Sequence, residues 1–96
     1  MREGINTRAI GSIPRTPTGT ALIAVDRQGQ NNIVVIAGAN ARLTAVSVRN
    51  QSAIIRHAGA LLAQLEVPLA AVVEAMRIAN GAGVPVVLNP SPLRSD

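Results

Sequence analysis

Two polar side chains follow apolar runs that are typical of buried strands. Glu66 comes directly after ALLAQL (60–65), and Asn89 comes directly after VPVVL (84–88). In open α/β sheets, ligands bind outside the carboxyl ends of the strands, and a carboxylate placed there can accept hydrogen bonds from two hydroxyl groups. Glu66 is therefore the first candidate for a ligand-binding residue and Asn89 the second. A solvated acid in the loop before Pro68 is an equally good explanation for Glu66.

A glycine-containing turn, AGAN (37–40), follows the strand-like run IVVI (33–36). A turn of this kind between a strand and a helix often cradles a phosphate. AGAN lacks the three spaced glycines of a dinucleotide-binding loop, and the chain has no Lys that could complete a Walker motif. The sequence therefore favours an ordinary turn over a nucleotide site at this position.

Few other residues could carry chemistry. His57, the single histidine, lies near the end of a predicted helix, where the negative end of the helix dipole accommodates it without a catalytic role. The chain has no Cys and no G-x-S-x-G sequence, which argues against a zinc site and against a serine hydrolase. Glu74 and Arg77 are three residues apart on a predicted helix, and the simplest interpretation is a surface ion pair. No catalytic and no metal-binding residue is predicted.

The composition is typical of one small domain or of a part of a larger one. Of the 96 residues, 48% are hydrophobic and none is aromatic, so any core must be aliphatic. The net charge of +4 comes from arginines spread between Arg2 and Arg94, with no cluster among them. Since there is also no aromatic side chain to stack on bases, nucleic-acid binding is not expected.

The N-terminal residues MREGINTRAI contain no apolar segment of the kind that signal peptides have. No apolar run in the sequence is long enough to span a bilayer. A cytoplasmic protein without membrane partners is therefore expected.

Strand and turn signals dominate the first half of the chain. AIGSIP (9–14) is predicted to be a short strand that ends at Pro14. Residues 20–25 and 32–36 are rich in β-favouring side chains and are separated by a turn sequence. This arrangement predicts a hairpin with a G1-type bulge at Gly29.

The second half alternates helical and strand patterns. Thr44 is predicted to be the N-cap of a helix over 45–56, with Gly59 as its C-terminal cap. Apolar residues recur at helical spacing over 69–80, between the two strand-like runs described first. The order β, β-hairpin, α, β, α, β predicts an α/β fold with a parallel sheet. The helix over 69–80 can cover one sheet face, and the uncovered face predicts a partner, a larger parent chain or poor solubility.

Three segments, taken in order, resemble one protein family. They are PTGTALIAVDRQGQNNIVVIAGANARLT (17–44), ALLAQLEVPL (60–69) and VVLNPSP (86–92). The combination is similar to ribokinase-like members of the phosphofructokinase-B type carbohydrate kinases, and so is GINT (4–7). The resemblance runs through essentially the whole chain. It implies a partial ribokinase-like α/β fold that forms one structural unit, with lid-type strands and a turn in 1–44 and part of an α/β sheet in 45–96.

The resemblance also implies roles for particular residues. In that family, the strands before GAN form a lid over the sugar and often pair two subunits, so residues 20–37 are expected to be lid rather than nucleotide loop. Ile23 matches the position whose side chain packs against the bound pentose. Glu66 matches the acid that holds sugar hydroxyl groups. Both would be contact residues for ribose or a related sugar.

Several features of the family have no match in the sequence. They are the first strand with its substrate-binding Asn and Asp, the Gly-Ala-Gly-Asp motif with the catalytic base, and the nucleotide pocket. ATP and magnesium are therefore expected only in a complete family member. The resemblance predicts a fragment of an ATP-dependent sugar kinase that supplies lid and sugar-contacting residues and is not catalytic alone.

Two other hypotheses remain open. The first is a free-standing, non-enzymatic remnant that forms a homodimer through the lid strands or through the uncovered sheet face. The second is a basic module that binds anions or nucleic acid, and the dispersed arginines make it the least favoured of the three.

Overall fold

The computed structural model describes residues 3–90 of the chain. Two antiparallel strands, β1 (Thr20–Val25) and β2 (Asn31–Ile36), form a hairpin. A short 3₁₀ helix (Gly38–Arg42) leads from the hairpin into the rest of the chain. There follow, in chain order, α1 (Ala45–Asn50), α2 (Ser52–Arg56), β3 (Leu61–Gln64), α3 (Leu69–Gly81) and β4 (Val86–Asn89).

The α/β class is confirmed, with an antiparallel hairpin and a separate parallel sheet. Within residues 3–90, the hairpin strands pair only with each other, and the parallel sheet consists of β3 and β4. No helix among these residues combines the length and the hydropathy that crossing a bilayer requires.

The predicted hairpin and its bulge are confirmed. Gly29 has a φ of +81°, a region that glycine enters without steric cost. Its N–H donates to the carbonyl of Asp26 (3.1 Å), and the N–H of Asp26 donates to the carbonyl of Gln30 (2.8 Å). The Asp26 carboxylate also accepts from the N–H groups of Gln28 and Gln30, each at 2.9 Å. The side chain of Asp26 therefore fixes the turn that sets the strand register.

The predicted strand over 9–14 is wrong. These residues form turns and irregular backbone, and they pair with no strand in the described part of the chain. Ile10 is 70% exposed, so the segment has no packed face to align it in a sheet. The Thr16 N–H donates to the Ile13 carbonyl (3.4 Å), which closes a turn around Pro14. Pro14 has no N–H and therefore cannot donate to a strand ladder.

The helix predicted over 45–56 is two helices, separated at Gln51. Thr44 is the N-cap, as predicted, and its hydroxyl oxygen accepts from the Ser47 N–H (3.1 Å). The sequence VSVRNQS (46–52) contains β-branched residues, serines and an asparagine, all of which favour helix weakly. This composition explains why Gln51 leaves the helical region, with φ −105° and ψ 19°.

The predicted glycine cap at the end of this helix is also wrong. The second helix ends at Arg56 with His57 as C-cap, and Gly59 does not adopt a positive φ. The His57 N–H and its ring Nδ1 both lie within hydrogen-bonding distance of the Ala53 carbonyl, at 3.3 and 2.8 Å. Because His57 is the C-cap, a capping glycine would have to stand at position 58, and Gly59 lies one residue too late for that role.

The parallel pair β3 and β4 is joined by α3, as the patterns predicted. The Val84 N–H donates to the Ala79 carbonyl (2.9 Å), and the Gly83 N–H donates to the Asn80 carbonyl (3.3 Å). With Gly83 at a φ of +74°, these two bonds form a Schellman cap. Since the cap uses the Val84 N–H and Pro85 has none, β4 begins at Val86 rather than at residue 84.

The described core is small and centres on α3. Its buried residues are Ala71, Val72, Ile78, Ala79 and Val84. The first two helices pack on α3, which in turn contacts both strands of the parallel sheet. On the opposite side of that sheet, Leu62 is 77% exposed and Val87 is 56% exposed. We call these two side chains, which are paired in the register, the open sheet face.

Candidate functional site

A cleft of about 650 Å³ lies between the base of the hairpin and the segment that follows β3. We call it the hairpin cleft. Its lining residues are Gly19, Thr20, Ala21, Val35, Ile36, Ala37, Asn40, Ala41, Leu65, Glu66, Val67 and Pro68. Apolar side chains make up most of these walls, and three polar ones are spread among them.

Glu66 lies in the hairpin cleft because of where β3 ends. The strand stops at Gln64, and the Glu66 N–H donates to the side-chain oxygen of Gln64. Pro68 then forms the N-cap of α3, so the chain turns sharply over a few residues. The Glu66 side chain is exposed, and among residues 3–90 its carboxylate forms no hydrogen bond or ion pair. Its acceptor oxygens are therefore available to a ligand.

Ile23 lies on β1, outside the lining of the hairpin cleft. It pairs with Ile33 and is 62% exposed. Side chains two residues apart on a strand share a face, so Ile23 is on the same face as Ala21, which does line the cleft. The contact between Ile23 and a sugar remains a prediction.

Asn89, the second candidate from the sequence, ends β4 and pairs with Gln64 in the parallel register. It therefore lies at the same sheet edge as the residues that lead to Glu66. It is exposed and does not line the hairpin cleft. The structure does not bring Asn89 and Glu66 together in one cavity.

The AGAN turn packs tightly on the entry to the hairpin. The Ala39 N–H donates to the Pro17 carbonyl (2.8 Å). A Cβ added to Gly38 would lie 2.4 Å from the carbonyl oxygen of Pro17, and one added to Gly19 would lie 2.8 Å from that of Ala37. The glycines thus allow two backbone segments to cross closely. This explains the glycine in the turn without a phosphate.

The paired role of Gly19 and Gly38 was missed by sequence reasoning. The sequence predicts only an ordinary turn at Gly38, whereas the structure places Gly19 and Gly38 against each other's neighbouring backbone. The only sequence signal was that both flank the predicted hairpin, one before β1 and one after β2.

Glu74 takes part in a larger ion pair than the sequence indicated. Besides Arg77 on its own helix, it binds Arg49 of α1, whose Nε lies 3.3 Å from its Oε1. The Glu74 side chain is 12% exposed. The hydrogen bond from Arg77 is the main cause that lowers the pKa of Glu74, and partial burial opposes it. The same bond raises the pKa of Arg77. This network ties α1 to α3 and lies outside the hairpin cleft.

Neither a metal-binding cluster nor open space beside the glycine of the AGAN turn is found among the described residues. No group of three His, Cys, Asp or Glu side chains within residues 3–90 is arranged to hold a metal ion. The space next to the Gly38 α-carbon is filled by Pro17 and Thr18.

Comparisons with known proteins give a consistent result. The sequence model of the pfkB family carbohydrate kinases matches residues 1–96. Ribokinase from Haemophilus influenzae is 44% identical over 91 residues, which are 95% of this chain and 30% of that protein. Ribokinase from Staphylococcus aureus is 42% identical over 91 residues, with the same coverage of 95% and 30%. The chain thus spans about 30% of the length of these relatives.

Solved structures agree with the sequence comparison. Ribokinase from Giardia lamblia superposes with a TM-score of 0.76 at 28% identity, covering 90% of this chain and 29% of that one. Arabidopsis thaliana ribokinase, solved in complex with ribose and ATP, gives a TM-score of 0.74 at 32% identity, covering 80% and 25%. The hairpin and the parallel strand–helix–strand unit therefore have counterparts in complete sugar kinases.

Proposed function

The chain belongs to the pfkB family of carbohydrate kinases, and from this premise we propose that it forms the sugar-binding and lid portion of a ribokinase-like enzyme. The observation that carries the proposal is the hairpin cleft, where the carboxylate of Glu66 has no hydrogen-bond or ion-pair partner from residues 3–90. A cleft with mostly apolar walls and a few polar groups is typical of small-ligand sites.

In this proposal, the described residues bind and orient the sugar. Glu66 accepts hydrogen bonds from sugar hydroxyl groups, and Ile23 packs on the apolar side of a pentose when the hairpin closes over it. Holding a reactant in one orientation is a large part of catalysis by kinases. Ribose is the first sugar to test, because relatives at up to 44% identity are ribokinases.

We further propose that phosphorylation requires polypeptide beyond these 96 residues. The phosphoryl donor ATP, its magnesium and the catalytic base would then be held outside the described residues. The open sheet face supports this idea, because exposed apolar strands are usually covered in a working enzyme. We expect such an enzyme in the cytoplasm, where it has access to ATP.

Binding of D-ribose to the 96-residue chain tests the proposed site. We expect saturable binding in an NMR titration of ¹⁵N-labelled protein, with the largest shifts among the residues that line the hairpin cleft. Glu66→Ala is the matched variant and should weaken binding. A titration that does not saturate, or shifts that map to α1 and α2 instead, would contradict the proposal.

The size of the natural polypeptide tests the proposal that phosphorylation requires polypeptide beyond these 96 residues. An antibody raised against this segment should detect, in source cells, a band about three times its length, since relatives are that much longer. A band at the size of the segment itself would contradict this part of the proposal, and it would favour a free-standing role.

A free-standing homodimer is the second candidate. The hairpin supports it, because large apolar side chains on both of its faces are half or more exposed. Such a two-faced hairpin is a favourable surface for self-association. A sedimentation coefficient that stays constant over a wide range of protein concentrations, at the value of a monomer, would rule this candidate out.

A further inference from the structure

We propose that Asn40 is a second sugar-contacting residue, which acts with Glu66 across the hairpin cleft. This inference rests on the proposed function, since it concerns the same ligand. Both residues line the same cavity of about 650 Å³, Asn40 from the side of the hairpin and Glu66 from the side of β3.

The hydrogen-bonding capacity of the cleft is concentrated in these two residues. Its polar side chains are those of Thr20, Asn40 and Glu66. The Thr20 hydroxyl already donates to the Thr18 carbonyl (3.2 Å). Within residues 3–90, no hydrogen bond engages the Asn40 carboxamide or the Glu66 carboxylate. Both are thus free to bind a ligand.

The backbone of Asn40 is anchored, and its carboxamide lies next to Gly19. The Asn40 N–H donates to the Ala37 carbonyl (3.1 Å), which anchors the residue in the AGAN turn. A Cβ added to Gly19 would lie 2.8 Å from Nδ2 of Asn40. The missing side chain at Gly19 therefore makes room for the amide at the entry to the hairpin.

The two groups are chemically complementary towards a ligand with several hydroxyl groups. The carboxylate of Glu66 only accepts hydrogen bonds, whereas the carboxamide of Asn40 both donates and accepts. One sugar hydroxyl can donate to Glu66 while another accepts from Nδ2 of Asn40. A site with both groups favours a polyol over a ligand that lacks one of those hydroxyls, because a protein group then loses its partner.

The test is D-ribose binding to the full chain by the NMR titration described above, with the side-chain amide signal of Asn40 as an added readout. For Asn40→Ala we expect binding weaker by about two- to tenfold, which is the effect of one neutral hydrogen bond in a partly open site. Asn80→Ala is the matched control, since Asn80 is an exposed asparagine on α3 that does not line the cleft. It should leave binding unchanged.

A second variant separates ligand contact from folding. Asn40→Leu keeps about the size of the side chain and the backbone hydrogen bond but removes both polar atoms of the carboxamide. We expect it to unfold at the same temperature as the wild type and to bind ribose at least as weakly as Asn40→Ala. Wild-type affinity in Asn40→Leu would overturn the inference, even if Asn40→Ala failed to fold.

The outcomes distinguish this inference from the function it rests on. Saturable ribose binding that is unaffected by both Asn40 variants but weakened by Glu66→Ala would overturn the role of Asn40 and leave the proposed function standing. No binding of ribose to the wild-type chain would overturn both. Weakening by the Asn40 variants together with a ligand-dependent shift of the Asn40 amide would support both.

Discussion

Gly38 has no room for a side chain, and this gives the sharpest prediction for a single residue. A Cβ would meet the Pro17 carbonyl oxygen at 2.4 Å, and the φ of +57° is strained for any other residue. We expect Gly38→Ala to lower the free energy of unfolding by about 2–4 kcal/mol in urea denaturation, through strain and the clash together. Gly59→Ala is the control, because nothing lies within 4 Å of its added Cβ. Equal effects of the two variants would contradict the close crossing.

Glu66 gives the opposite prediction, an effect on binding without an effect on folding. The side chain is exposed, and its carboxylate has no partner among residues 3–90. We expect Glu66→Ala to change the free energy of unfolding by less than about 0.5 kcal/mol, while it weakens ribose binding in the titration. Parallel loss of stability and affinity would mean that Glu66 is structural.

At the residue scale, the sequence predicted features that depend only on where a residue stands relative to the end of one strand. The position of Glu66 just beyond the carboxyl end of β3 followed from the end of one apolar run, while its contact with a sugar stays a prediction. The contact between Gly38 and Pro17 could not be predicted, because it depends on which backbone segments cross in space. The inclusion of Arg49 in the Glu74 ion pair was missed for the same reason, since the two residues are 25 positions apart.

The helices α1 and α3 are joined by the Arg49–Glu74–Arg77 network, and this predicts a pH dependence of stability. Folding lowers the pKa of Glu74 from its ordinary value of 4.5. The stabilisation is therefore fully present above that value and is lost as the pH falls through the lower pKa of the folded state. We expect the free energy of unfolding to fall as the pH is lowered below about 4.5. The fall should be less steep in Glu74→Gln, which has no carboxylate at this position to protonate.

Glu3→Gln is the control for this titration. Glu3 is exposed and has no ion pair within the described residues. Chemical denaturation at a series of pH values, compared among wild type, Glu74→Gln and Glu3→Gln, gives the measurement. If Glu74→Gln and Glu3→Gln reduced the slope of the free energy of unfolding against pH equally, that result would contradict a specific role of the Arg49–Glu74–Arg77 network.

At the element scale, the predictions succeeded where a pattern and its end signals agreed. The helix predicted over 69–80 is α3, where apolar spacing and the glycines after it point to the same boundaries. The helix predicted over 45–56 is broken at Gln51, because several weak helix formers occur together and neither α1 nor α2 has a fully buried residue to compensate for them. The strand predicted over 9–14 failed because a strand needs a neighbour, which local composition does not supply.

At the scale of the whole molecule, residues 3–90 bury little apolar surface for their number. Five buried hydrophobic residues are found in the described part, all of them in or directly after α3. The hairpin and the open sheet face both present exposed apolar side chains, so each could mediate association. The sequence predicted an uncovered sheet face from the single helix available to cover it. It did not predict that both faces of the hairpin would be exposed. Apolar side chains in 20–36 stand on both faces of the strands, so their pattern does not show which face would be buried.

The hairpin is the better candidate for self-association, because it exposes more apolar surface. Its exposed large side chains are Leu22, Ile23, Val25, Ile33, Val34, Val35 and Ile36, against Leu62 and Val87 on the open sheet face. Leu22 and Val34 are directly paired, so they share one face of the hairpin. Replacing both with Thr keeps the preference for strand and removes apolar surface from that face.

For the homodimer proposed above as the second candidate, we therefore expect the double variant Leu22→Thr/Val34→Thr to shift the equilibrium towards monomer in sedimentation velocity. Leu62→Thr/Val87→Thr is the matched control, since it makes the same chemical change at two paired strand positions on the other surface. It should leave the association constant close to that of the wild type. If this control dissociates the protein and the hairpin variant does not, the open sheet face is the interface. In that case the hairpin remains free to close over a ligand, and lid pairing has no role in assembly.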